Sequence, residues 1–340
     1  MTLKDHVLLT LYRSFSQEIS GEKLAEEWGV TRAAIWKAVD SLRKDGYEIH
    51  STSGKGYALI SMQERLCLPC IELSLQENDR NFQVFYENTV DSTNNESKRL
   101  LASDVSTPFL FLASEQSAGR GRLGRSFFSP SGGLYLSLVV SNFPLLSGGV
   151  RYTAATALAV AQALESATGE EISIKWVNDL YYRGKKVCGI LTEGIFDMEN
   201  SRLSHLVVGI GINLKDVSFP EDIKDRAGYV PVDPEKKTEL VIDIVRNIFN
   251  YFSSIEDPAF LEGYRARCFI LGERVQFTKN GRTLSGKATA IDDWGGLVVE
   301  TADETLTLQS GEVFLEEEVS VDFQLRPDTL GDRDGDDHFD

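Results

Sequence analysis

The segment GRGRLGR at residues 119–125 alternates three glycines with three arginines, Arg120, Arg122 and Arg125, and runs on into SFFSPSGG. Its first six residues satisfy G-x-G-x-x-G, the spacing by which a dinucleotide-binding turn brings backbone amides to a pyrophosphate. That fingerprint also requires a helix directly after the glycines and an acidic residue about 20 positions on. FFSPSGG carries a proline and two glycines instead, so no helix is expected there. Two readings remain open on composition: a mobile cationic flap that orders around an anion, its glycines supplying backbone freedom, or a solvated basic loop.

Three other stretches raise the same question. DSTN (91–94) places two hydroxyls and an amide together, and serves equally as an N-cap for the helix that follows. KWVNDLYYRGKKVCGILTEG (175–194) sets a cation, an amide and a carboxylate (Lys175, Asn178, Asp179) at a strand end. Lys185 and Lys186 then precede an apolar strand in which Gly189 permits close backbone approach. Asp179 is a candidate base, or else a cap or ion-pair partner. GIGINL (209–214) reads as a glycine-lined ligand floor or as a tightly packed core strand.

The elements that must position these residues are legible from periodicity. LKDHVLLTLYRSF, GEKLAEEW and TRAAIWKAVDSLRKDG repeat apolar residues at helical spacing, with Thr31 as an N-cap and Gly46 as a stop. YEIHSTSGKGYALI then alternates as two strands around a glycine turn. This is the outline of a winged helix-turn-helix over 1–62. Such a module lays the start of its second turn-helix helix in the major groove, making Thr31, Arg32, Ala33, Trp36 and Lys37 candidate DNA contacts and Lys55 a phosphate contact on the wing. A winged helix that binds protein instead is the alternative.

Residues 63–79 read as a linker and 80–268 as a mixed α/β domain, with strands FLFLASEQ, LYLSLVVS and HLVVGIGINL among helices TNNESKRLLAS, RYTAATALAVAQALESATG and ELVIDIVRNIFNYF. Short alternating strands over 269–318 suggest a small closed β-barrel. Residues 319–340 form an acidic tail expected to be disordered. The fold class is therefore α+β multidomain.

At 340 residues, 42% hydrophobic and 26% charged, the composition is that of an ordinary soluble protein. The net charge of −17 does not exclude nucleic acid, because residues 316–340 hold ten acids against Arg326 and Arg333 and supply −8 of it, while residues 28–60 carry a local surplus of +2. No apolar run approaches the roughly 20 residues that span a bilayer, and Asp5 and His6 interrupt the start, so the expectation is a cytoplasmic protein without membrane attachment. Of four cysteines, Cys67 and Cys70 have C-x-x-C spacing, which fits zinc or a redox dithiol. With no second pair to complete a tetrahedral site, structural or incidental thiols are expected, and no metal-ligating set.

Taken in order, DSTN, SEQSAGRGRLGR, KWVNDLYYRGKKVCGILTE and VVGIGINL closely resemble the biotin–protein ligase family, in the bifunctional form whose N-terminal winged helix makes it a biotin operon repressor. The resemblance covers about residues 1–318. It implies a class II synthetase-like ligase domain and an SH3-like C-terminal barrel, with ATP, Mg²⁺ and biotin as cofactors and substrate. It also implies a two-step reaction through biotinyl-5′-AMP to an acceptor lysine. The implied partners are a biotin carboxyl carrier protein of acetyl-CoA carboxylase or a related carboxylase, operator DNA, and a second copy of the chain when the adenylate is bound.

By the same resemblance Lys186, Arg122 and Asp179 are catalytic. Ser92, Thr93, Asn94 and Gln116 bond the biotin ureido ring, and Gly119, Arg120, Gly121, Arg122, Lys186, Gly189, Gly209 and Gly211 complete the biotin site. Arg122, Arg125, Lys175, Asn178, Lys186 and Asn213 hold ATP. Two departures stand out: Val177 replaces the family's proline, with a small expected effect, and the loop 215–236, with its AGYVPVDPEKK, lacks the expected pattern and leaves adenine contacts open. A biotin sensor without catalysis and a lipoate ligase are the competing readings. The complete cation set with Asp179 argues against the first, and the arginine-rich flap with the winged helix against the second.

Overall fold

The computed structural model describes residues 1–76, 81–141, 144, 149–197 and 202–316, and divides into two compact units between Phe269 and Ile270. The expected acidic tail lies outside the described residues.

In the first unit, Thr2 and Asp5 form a reciprocal capping box on α1 (Leu3–Arg13). Ser20 caps α2 (Gly21–Glu27) and Thr31 caps α3 (Arg32–Lys44), accepting from the Ala34 amide at 3.2 Å. Gly46 follows at φ +95°, a conformation that ends the helix without a side-chain penalty. Strands β1 (Glu48–Thr52) and β2 (Gly56–Ser61) pair antiparallel as the wing. The stripes foreseen from periodicity meet in one cluster: Val7 and Leu11, Leu24, Ile35 with Val39 and Leu42, and Ile49, Leu59 and Met62.

The expected linker is only partly a linker. Residues Leu68–Gln76 form a helix, α4, whose Cys70, Ile71 and Leu75 are buried, and Cys67 and Cys70 are joined as a disulfide within the winged-helix cluster. Sequence signals missed it because CLPCIELSLQ offers no Ser, Thr, Asp or Asn cap and IELSLQ alternates apolar and polar residues as a strand does.

The central sheet has seven strands in the order β3 (Gln83–Val90), β4 (Phe109–Gln116), β5 (Leu134–Ser141), β9 (Arg202–Ile212), β8 (Lys185–Asp197), β7 (Asp179–Tyr182), β6 (Ser173–Lys175). Only β3 and β4 run parallel. Register assigns the faces. Ser137, Gly209 and Leu191 stand in line across β5, β9 and β8, on the side covered by α5 (Thr93–Ala102). Thr192, one residue on, bonds Thr153 of α6 (Val150–Thr168) on the opposite side. α6 is alanine-rich and buried nearly all round, between the sheet and α7 (Lys237–Ser253) and α8 (Phe260–Arg267).

The second unit is an antiparallel sheet in the order β13 (Thr305–Leu308), β12 (Leu297–Glu300), β11 (Arg282–Ile291), β10 (Arg274–Lys279), β14 (Val313–Leu315). Val275, Phe277, Ala288, Leu297, Val299, Leu306 and Val313 form its buried side. This is the small β module that the alternation foretold.

Gly56 has φ +126°, and a β-carbon there would fall 1.9 Å from the Ile19 carbonyl oxygen. Gly56→Ala is therefore expected to unseat the wing and destabilise the winged helix by roughly 1.4 kcal/mol or more, while the central sheet is unaffected. Hydrogen exchange of the wing strands and of the central sheet before and after the substitution checks both halves.

Candidate active site

The GRGRLGR run, open to reading as a mobile flap or as a solvated loop, lies within residues 116–129, whose backbone pairs with itself. Gln116 N donates to Ser129 O, Phe127 N to Gly119 O and Gly121 N to Arg125 O, at 3.0, 2.8 and 2.8 Å. The excursion is thus a hairpin tipped by a short 3-10 turn, Arg122–Gly124. At its tip Leu123, with φ +55°, is 74% exposed. Arg122 reaches inward and donates from Nη1 to Asn178 Oδ1 at 3.0 Å, while Arg120 donates to Asn95 Oδ1 at 3.1 Å. Arg125 and Gly121 contribute backbone bonds to the hairpin.

DSTN lies under this hairpin. Ser92 occupies the N-cap position of α5, yet its hydroxyl makes no capping bond, so the capping reading does not account for it. Gln116 Oε1 accepts from the Thr93 amide at 2.8 Å and the Thr93 hydroxyl at 3.2 Å, and Gln116 Nε2 donates to Ser129 Oγ at 2.8 Å. Ser137 Oγ lies 2.8 Å from Thr93 Oγ1 and 2.6 Å from Asn94 Oδ1. Asn94 Nδ2 donates to Glu193 Oε2 at 2.7 Å, and Lys98 Nζ to Glu193 Oε1 at 2.7 Å. Thr93, Asn94 and Ser137 are buried, so this network fixes their hydroxyls and amide in one orientation, and Ser92 is buried beside them.

Burial pushes the Glu193 carboxyl up, but hydrogen bonds from Lys98 and Asn94 and the charges of Lys98 and Arg120 outweigh it and hold the group below its ordinary 4.5. The carboxylate is then better stabilised folded than unfolded. Its contribution is present above about pH 4.5 and fades as pH falls through the lower, folded value.

The glycines of the motifs make room for side chains of the chain itself. A β-carbon at Gly211 would fall 2.4 Å from the Phe127 ring, one at Gly189 2.9 Å from the same ring, and one at Gly209 2.2 Å from Asn94 Oδ1. At Gly119 it would meet the Phe127 carbonyl at 2.3 Å. The two strands are therefore bare so that Phe127 can lie flat across them. Phe127, Ser129, Ser137 and Glu193 escaped the reading from sequence. Only Glu193 carried a signal, as the sole carboxylate in the GILTEG run.

Lys186 and Asp179 meet at the other end of this floor. Nζ lies 2.6 Å from Oδ1, off the line of a hydrogen bond, so the contact is ionic and Oδ1 accepts no hydrogen bond among the described residues. The Lys186 side chain passes 3.6 Å from the β-carbon position of Gly189. Its backbone is clamped: Lys186 N donates to Arg226 O at 2.8 Å, and Gly228 N to Lys186 O at 2.9 Å. Asn178 is held by Ile190, donating from Nδ2 to its carbonyl at 2.9 Å, and follows a cis Trp176–Val177 peptide bond where the family's proline would stand. Asn213, expected as an open ligand contact, donates from Nδ2 to Gly228 O at 2.9 Å and so secures the loop 215–236. Lys175 is buried, with Nζ 6.0 Å from the centre of the Tyr181 ring. In the winged helix, Thr31, Arg32, Ala33, Trp36, Lys37 and Lys55 are all exposed, with Arg32 paired to Glu22 and Lys55 to Glu18. Such exposed pairs are weak enough for phosphate to displace.

Comparison with known proteins decides the family. Residues 86–213 match the Biotin/lipoate A/B protein ligase family, residues 4–58 an HTH domain and residues 270–316 the Biotin protein ligase C terminal domain. The bifunctional ligase/repressor BirA of Bacillus spizizenii is 31% identical over 92% of this chain and 99% of its own. The chain belongs to the biotin protein ligase family. The BirA of Escherichia coli is 27% identical over 87% of this chain and 92% of its own. Among solved structures, the biotin protein ligase from Aquifex aeolicus in complex with biotin and ATP superposes with a TM-score of 0.58 at 30% identity, over 69% of this chain and 98% of that one. No helix among the described residues is long and apolar enough to cross a membrane.

In a family member whose ring-bearing hairpin must lie on two bare strands, Gly211→Ala is expected to lift Phe127 and raise the KM for biotin about tenfold or more, with a smaller change in kcat. Glu193→Gln should flatten the stability profile below about pH 4.5, as read by thermal melting across pH.

Proposed function

We infer that this chain is a biotin–[biotin carboxyl carrier protein] ligase that also represses transcription of biotin genes when it holds biotinyl-5′-AMP. The observation that carries the reading is the convergence of DSTN, the arginine hairpin, KWVND with Lys186, and the GIGIN strand on one end of one sheet.

In the first step a biotin carboxylate oxygen attacks the α-phosphorus of ATP and pyrophosphate leaves. Two anions meet, so the barrier falls where cations are already fixed. Lys186, on a clamped backbone, and Arg122 and Arg125, on the hairpin, suit that role. Ser92, Thr93, Asn94 and Gln116 supply oriented hydrogen bonds suited to a ureido ring, and the hairpin with Phe127 keeps water from the mixed anhydride. Among the described residues no cluster of three or more His, Cys, Asp or Glu forms a metal site, and Mg²⁺ is assigned to the ATP phosphates.

In the second step an acceptor lysine attacks the acyl carbon and AMP leaves. The amine must first lose a proton. The ion pair supplies the order of events: a carboxylate or phosphate that draws Lys186 away leaves Asp179 uncompensated and able to take that proton. The acceptor fitting this chemistry is a lysine of a biotin carboxyl carrier protein. The reading places the chain in the cytoplasm, with biotin and ATP.

Repression requires the site to act on the winged helix, and the segment 213–239 supports that coupling better than the hairpin does. At one end Gly228 and Arg226 bond the Lys186 backbone and Val230 N donates to Asn213 O at 3.0 Å. At the other, Glu235 accepts from Ser61 Oγ at 3.0 Å and from Met62 N at 3.2 and 3.3 Å, at the end of the wing strand β2. Tyr12 of α1 bonds Glu239. The homodimer reading is supported by β8, whose residues 191–197 pair with β9 on one side and with no strand on the other among the described residues, with Phe196 exposed.

Lys186→Ala should lower biotin-dependent ATP–pyrophosphate exchange by about 10²–10³-fold without unfolding the chain. Unchanged exchange would refute the assignment. Glu235→Ala should leave exchange within about twofold while reducing the effect of biotinyl-adenylate on operator affinity, from a coupling of about 5–150-fold toward none. DNA titrations with and without biotin and ATP read this directly.

A further inference from the structure

The Cys67–Cys70 pair takes no part in the chemistry above. Cys67 directly precedes α4 and Cys70 lies in its first turn, where the Cys70 and Ile71 amides donate to the Cys67 carbonyl at 2.9 and 3.0 Å. Both belong to the winged-helix cluster that contains Val7 and Leu11 of α1, Cys67 being 0% and Cys70 6% exposed. The Cys67 amide donates to Thr238 Oγ1 of α7 at 3.0 Å, and Arg246 of α7 donates to the Ser74 carbonyl of α4 at 3.2 Å. The bridge therefore stands where the chain leaves the winged helix, in a helix packed against both α1 and α7.

We propose that Cys67–Cys70 is a reversible redox modification site, acted on by dithiol reductants, whose state sets how firmly the winged helix is held to the ligase body. A bridge across a loop this short gives little stabilisation by restricting the unfolded chain, so stability alone does not explain it. C-x-x-C is the spacing of a redox dithiol, and here the pair stands at the start of a helix. Cys188 and Cys268 are free, so they serve as internal references for labelling.

The exchange balances as follows. A reductant thiolate attacks Sγ of Cys70, the less deeply buried of the two. The S–S bond breaks, a mixed disulfide forms on Cys70, and Cys67 leaves as a thiolate that takes up a proton. The reductant's second thiolate then displaces Cys70, closing the reductant's own disulfide, so that the pair gains two electrons and two protons. A low-molecular-weight disulfide reverses it. Once unbonded, the two sulfurs must stand at van der Waals separation inside a filled core, which displaces the first turn of α4 from α1 and from Thr238.

The test uses the full chain, treated with glutathione disulfide or with dithiothreitol, freed of the reagent, then unfolded in denaturant at mildly alkaline pH and alkylated with iodoacetamide. Intact mass should show labels on the two free cysteines after oxidation and on all four after reduction. On the native chain, hydrogen exchange in α1 and α4 should quicken by about tenfold or more on reduction. β5 and β9 should not change, and pyrophosphate exchange should hold within about twofold. The C67S/C70S chain should match the reduced state, and if it fails to fold the two redox states of the unsubstituted chain still decide. Four labels after glutathione disulfide would overturn the site, and equal protection of α1 and α4 in both states would overturn its role.

Discussion

Lys186 Nζ and Asp179 Oδ1 lie 2.6 Å apart at the end of a glycine floor, each side chain about a quarter to a third exposed. A pair so placed is poised rather than locked: it is dry enough for either charge to be costly when left alone, and wet enough for an incoming anion to compete. Much of the surrounding structure keeps the two groups in that relation. The Arg226 and Gly228 backbone fixes Lys186, the β7 register with β8 sets Asp179 opposite Gly189, and Arg122 closes on the neighbouring Asn178.

The opposite end of the site obeys a different constraint. Ser92, Thr93, Asn94 and Ser137 are polar and buried, which is tolerated only if nearly every donor and acceptor has a partner. Glu193 is the anchor of that arrangement: Asn94 and Lys98 bond it, Arg120 lies 3.7 Å away, and its charge persists despite burial. Phe127 joins the two ends, lying over Gly189 and Gly211 with its carbonyl on Ser129 Oγ. The buried polar network and the Lys186–Asp179 pair thus share one sheet and one hairpin.

Local signals carried much of this. The winged helix was readable because its caps, its apolar stripes and its glycine turn agree with one another, and the strands because FLFLASEQ and LYLSLVVS are apolar runs bounded by turns. What escaped depends on tertiary neighbours. α4 lacks a capping side chain, and its IELSLQ alternates at a strand's period. The glycines pointed to a ligand, whereas only the fold places Phe127 and Asn94 above them. Asn213 was legible as an amide near the site, but its work of holding Gly228 depends on a loop whose sequence gives no period. The hairpin's glycine-arginine composition reads as mobility, yet three cross-hairpin backbone bonds define its path.

The segment 213–239 is bonded both to the Lys186 backbone and to the end of the wing strand, and the proposed coupling runs through it. All of it rests on Lys186 changing partners. A crystal structure of the chain with biotin and a non-hydrolysable ATP analogue tests that most directly. The account predicts Lys186 Nζ within hydrogen-bonding distance of the biotin carboxylate or the α-phosphate, away from Asp179, with Arg122 on the phosphates. Ligand bound with the Lys186–Asp179 pair intact and no hairpin arginine on the phosphates would contradict it.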